Sequence, residues 1–89
     1  MAIGKVFRNG GSIVFVVKKD IREKYSLKPG ERVDYLLKGV VGKNMFINEL
    51  VEGVVARYIS GSLVLRLPID IVRAYEINPG DYVSYEIMR

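Results

Sequence analysis

Neither cysteine nor histidine occurs among the 89 residues, and proline appears only three times. Without cysteine no disulfide can staple the fold, and without either residue the common structural zinc sites are excluded. The same absences remove the usual general base and the most nucleophilic side chain, and the carboxylates form no spaced pair. An enzyme is therefore not expected, and neither is a metal or cofactor. No apolar run approaches the roughly 20 residues that span a bilayer. The start, Met1-Ala2-Ile3-Gly4-Lys5, lacks the basic opening and long apolar stretch of a signal peptide. Together these absences imply a cytoplasmic chain with no membrane partner.

What is present is a repetition. Gly11 to Leu37 returns without a gap as Gly61 to Ile87, with ten of 27 positions identical. Such a repeat is one supersecondary unit used twice, and a unit of this size cannot bury its apolar face alone. The two copies are expected to close on each other as a single domain, residues 1–89. Repeat one, 3–50, reads as strand, strand, helix, strand, strand; repeat two, 51–89, reads as strand, strand, helix, strand.

The local patterns carry that reading. Lys5-Val6-Phe7-Arg8 alternates, and Asn9-Gly10-Gly11 has the chemistry of a tight hairpin turn. In the second copy Leu63, Leu65 and Leu67 point one way while Ser62, Val64 and Arg66 point the other, which projects Ile13, Phe15 and Val17 into the core. Val14 and Val16 then lie on the opposite phase, to pack against a neighbouring strand or form a self-association surface. Lys18–Tyr25 and Pro68–Tyr75 have helical spacing, with Pro68 suited to the first turn. Pro29-Gly30 and Pro79-Gly80 turn into third strands whose Val33, Tyr35, Leu37 and Val83, Tyr85, Ile87 face inward. Met45 to Leu50 reads as a further strand, running on toward Arg57-Tyr58.

At these residues the chain resembles a family. Ser62-Leu63-Val64-Leu65-Arg66-Leu67-Pro68 is similar to the strand segment of MazE-type antitoxin DNA-binding domains. Asp20 to Val33 looks like the helix and turn of the AbrB, MazE and SpoVT superfamily, and Gly42-Lys43-Asn44-Met45-Phe46-Ile47 resembles its last hairpin. The resemblance implies an all-β, closed swapped-hairpin barrel with two short helices, in which one chain holds both units of a usual dimer. A double-psi or RIFT-type barrel is the alternative. It further implies a small transcriptional regulator that binds double-stranded DNA, as a pseudo-dimer within one chain or as a homodimer.

Candidate contacts follow by position. Lys5 and Arg8 lie on the first strand, with Asn9 and Ser12 at its turn; Arg57, Ser62 and Arg66 are offered by the second copy. The family's strand arginine is Val16 in the first copy and its proline is Lys18, so the halves are not equivalent. Lys18, Lys19 and Arg22 form a basic cluster, although such a run also serves as a solvated helix face. The net charge of +4 is uneven: residues 1–45 carry ten Lys and Arg against four Asp and Glu, and residues 46–89 carry four against six. A polyanion is therefore expected to meet one face. The rival reading is a protein-interaction or adaptor barrel, including an antitoxin-like module, without DNA binding.

Overall fold

Alternation at period two, punctuated by Gly, Asn and Pro, produces seven strands and two short helices in the computed structural model, which describes residues 2–89. β1 (Ala2–Asn9) and β2 (Ser12–Val16) form the first hairpin; α1 (Lys19–Lys24) and β3 (Arg32–Val40) complete the first unit. β4 (Met45–Val55) and β5 (Arg57–Ile59) lead into β6 (Ser62–Leu67), α2 (Ile69–Ala74) and β7 (Tyr82–Ile87). All pairings are antiparallel, in the order β4-β3-β7-β1-β2-β6-β5. In the second hairpin Ser60 (φ 51°) and Gly61 (φ 81°) occupy the left-handed region that a two-residue turn requires.

A shift of 50 residues maps one unit onto the other, and the backbone bonds obey it. Val6 N–H donates to the Asp81 carbonyl and Gly80 N–H to the Val6 carbonyl; Ala56 N–H donates to the Glu31 carbonyl and Gly30 N–H to the Ala56 carbonyl, each at 2.8 Å. The first strands are exchanged between the copies. β1 pairs with its own β2 and with β7 of the second copy. The end of β4 pairs with β3 of the first copy, while its continuation β5 pairs with β6.

The expected closure into a barrel is not seen. The sheet ends at β4 on one side and at β5 on the other, and these edges are joined by the chain at Ala56 rather than by a ladder. One half of that long segment follows β3 and the other follows β6, so the sheet opens between them. Helix starts differ slightly from expectation: Lys18 and Pro68 precede the helices as N-caps (φ −59° and −58°), and proline's fixed φ suits that position equally.

The core lies where the inward phases meet. Phe15 packs between the two equivalent tyrosines, 5.0 Å from Tyr35 edge-on and 4.8 Å from Tyr85 in a tilted arrangement. Ile13, Val17, Leu63, Leu65, Leu67, Val33, Leu37, Val83 and Ile87 complete it as the alternation requires. Tyr25 and Tyr75 flank it from the helix ends. No helix among the described residues is long and apolar enough to cross a membrane.

Candidate nucleic-acid interface

Paired residues on neighbouring strands project to the same side of a sheet. On the side away from the core, Phe7 pairs with Val14 and Val14 with Arg66; Val16 pairs with Val64 and Val64 with Arg57. Residues two apart share a face, which adds Lys5 and Asn9 on β1, Ser12 on β2 and Ser62 on β6. Six of the ten sequence candidates, Lys5, Asn9, Ser12, Arg57, Ser62 and Arg66, are thus gathered on one face of the four-strand ribbon β1-β2-β6-β5. Lys5, Arg57 and Arg66 are exposed, and Asn9, Ser12 and Ser62 are half-buried.

The other four lie elsewhere. Arg8 pairs with Ile13, so it shares the core phase of β1, yet it is exposed. Lys18 and Lys19 stand at the start of α1. Arg22 is engaged within the molecule: its guanidinium donates to the Tyr58 hydroxyl at 3.0 Å and lies 5.4 Å from the centre of that ring. That contact ties α1 to β5.

Val14 and Val64 are buried, at 3% and 1% exposure, yet stand apart from the main core. Their outward phase was legible in the sequence; their burial was not. Their cross-strand neighbours are large, Phe7 and Arg66 beside Val14 and Arg57 beside Val64, and long arginine stems can bury apolar surface while the charged head stays in water. Val14 is therefore no self-association surface.

Where the sheet opens, a groove of about 400 Å³ runs between β6 and β4. Arg57, Arg66 and Ser12 line it together with Arg32 and Glu52, over a floor that includes Val14 and Val64. Arg32 also donates to the Gly53 carbonyl at 3.3 Å. None of the three arginines forms an ion pair among the described residues, whereas Lys38, Lys43 and Arg89 pair with Glu86, Asp81 and Glu31. Arg32 was missed in the sequence, although it stands where the second copy has Tyr82, a mismatch of the same kind as Val16 against Arg66.

The backbone carrying Arg66 is pinned from the core. The buried Tyr35 hydroxyl donates to the Arg66 carbonyl at 2.7 Å. The equivalent Tyr85 hydroxyl instead accepts the Lys18 N–H at 3.3 Å. The difference follows from one substitution: Pro68, the counterpart of Lys18, has no N–H to give. Burial pushes both phenols above their ordinary value, so each remains a neutral hydroxyl.

Guanidinium groups that form no ion pair along a groove can bind phosphate bidentately. The described residues hold no group of His, Cys, Asp and Glu arranged to bind a metal. Comparison with family models, with curated proteins and with solved structures returns no match to this chain.

Proposed function

We propose that the chain is a small DNA-binding regulator that meets the duplex with the outer face of β1-β2-β6-β5, led by Arg32, Arg57 and Arg66. The observation that carries this reading is the groove: three arginines without ion-pair partners, flanked by Ser12 and set on rigid strands. Lys5 and Asn9 extend the same face, and the turn at Gly10 lets backbone approach phosphate. Exchange of the first strands between copies, and the fit of both copies to one unit, support the resemblance to the swapped-hairpin AbrB, MazE and SpoVT superfamily. Because Val16 stands opposite Arg66 in the repeat and Tyr82 opposite Arg32, one chain offers one arginine groove rather than two.

Phosphate contacts release counterions, so affinity should fall at least tenfold between about 50 and 200 mM salt. Selection from a random duplex pool followed by titration across salt tests this. Arg66→Ala is expected to weaken binding by about 1–3 kcal/mol if it reads a base, and to lower the salt slope by about one if it meets only phosphate. Arg8→Ala, on the other face of β1, should change binding little. Salt-independent binding, or equal loss in Arg8→Ala and Arg66→Ala, would reject this interface.

A further inference from the structure

The two copies fall out of register beside the arginine groove. On β7, Tyr85, Ser84 and Val83 pair one for one with Ala2, Ile3 and Gly4 of β1. The 50-residue shift would set Glu52 against Tyr35 and Gly53 against Asp34. Instead Val51 pairs with Tyr35 and Val54 with Val33, so Glu52 and Gly53 together stand against Asp34. This bulge is held from β3 on both sides. Gly53 has a left-handed φ of 68°, its N–H donates to the Asp34 carboxylate at 2.7 Å, and its carbonyl accepts from Arg32 at 3.3 Å.

A bulge re-aims the side chains it carries. Residues paired across a ladder project to the same side, so without the bulge Glu52 would follow Tyr35 inward, where its counterpart Ala2 packs against the core. The bulge gives that inward place to Val51, which is buried, and leaves Glu52 exposed in the groove with Arg32, Arg57 and Arg66. Glu52 forms no ion pair with them among the described residues. The repeat has Ala2, Tyr82, Phe7 and Val16 at these four positions, so the carboxylate and the guanidinium groups belong to one half only.

A carboxylate in such a groove repels phosphate and suits a ligand that brings a hydrogen-bond donor. Among base edges in the major groove, guanine and thymine present acceptors, adenine sets its N7 acceptor beside its amino group, and cytosine offers the N4 amino donor with no acceptor. Arginine complements the two acceptors of guanine. We infer that Glu52 is a specificity residue of the groove, accepting from a cytosine N4 amino group while a groove arginine takes the guanine of a G·C pair. This inference rests on the DNA-binding reading above.

The test is selection of bound duplexes from a random pool by the wild type, Glu52→Ala and Glu52→Gln, with affinities for the selected sites then measured by fluorescence anisotropy. Wild-type sites should fix a cytosine that Glu52→Ala leaves free, with the other positions kept. Replacing that cytosine should cost the wild type about tenfold in affinity, the size of one lost base contact, and cost Glu52→Ala nothing. Glu52→Gln, whose amide matches adenine N6 and N7, should exchange that cytosine for adenine. Glu52→Ala should also bind unrelated duplex more tightly than the wild type, because a charge that repels phosphate is gone. Identical selected sites for the wild type and Glu52→Ala, or an equal loss of affinity for every sequence, overturn the role of Glu52. Either result leaves the arginine groove standing if Arg66→Ala still weakens binding, whereas a wild type that binds no duplex removes both readings.

Discussion

Gly4 is where a single atom decides the packing. A Cβ there would run into the Val16 carbonyl oxygen and come within 3.2 Å of the Phe15 ring and 3.3 Å of Tyr85. Gly4→Ala should therefore destabilise the protein by about 1–3 kcal/mol, read as a lower denaturant midpoint with unchanged slope. Its counterpart Val54 carries a full side chain, so the copies differ even where backbone is shared. Tyr35 is the matching case for a polar atom. Tyr35→Phe leaves the Arg66 carbonyl without its donor and is expected to cost about 1–2 kcal/mol, with a smaller loss of DNA affinity because the Arg66 backbone loosens. Single residues of this kind were legible as inward-facing, but not as partners: alternation tells which side a phenol faces, never which carbonyl it meets.

At the scale of elements, α1 and α2 are each six residues long and draw their stability from docking. Arg22 and Tyr58 form one such dock. Arg22→Ala should lower stability by about 0.5–1 kcal/mol, a partly exposed cation–π contact, while leaving duplex binding unchanged in anisotropy titrations. A basic run on a short helix reads in the sequence either as a solvated face or as a binding face; the structure gives one of its members to an aromatic ring 36 residues away. The β4–β5 segment makes the complementary point. Its run from Met45 through Val55 toward Arg57 was readable as one strand, but the change of partner at Ala56, from β3 to β6, depends on where the other copy lies.

For the whole molecule, strand exchange makes neither copy complete. Lys5 pairs with Tyr82 and Arg32 with Val55, so residues 1–50 and 51–89 expressed separately should each give the circular dichroism of an unfolded chain. Recovery of sheet signal on mixing the halves is expected; a folded isolated half would contradict the exchange. The pairings are also distant in sequence, which places folding in the slower, millisecond-to-second range. Stability should fall at high pH. Tyr35 and Tyr85 have folded values raised above about 10, so between the unfolded and folded values the native state holds more protons, and their contribution is lost as pH rises through that window. Phenolate absorbance and far-ultraviolet circular dichroism should change together there. At the acid end Arg89 holds the Glu31 carboxyl below its ordinary value, so that contribution is present at neutral pH and fades as pH falls through the lowered value. The Glu31 carboxylate signal should titrate nearer its ordinary value in Arg89→Ala.

Sequence by itself determined the repeat, the strand and helix order, the inward rows and the turn positions, because these rest on periodicity and on residues with restricted backbones. It also determined that the halves differ in charge. Only tertiary structure decided which face each candidate occupies, since register sets that: Arg66 and Lys5 meet on one side of the ribbon, while Arg8, one residue out of phase, leaves by the other. It alone brought Arg32 to Arg57 and Arg66 and left the sheet open instead of closed. Each of these depends on where two distant segments cross, and the alternation of either segment is the same wherever its partner lies.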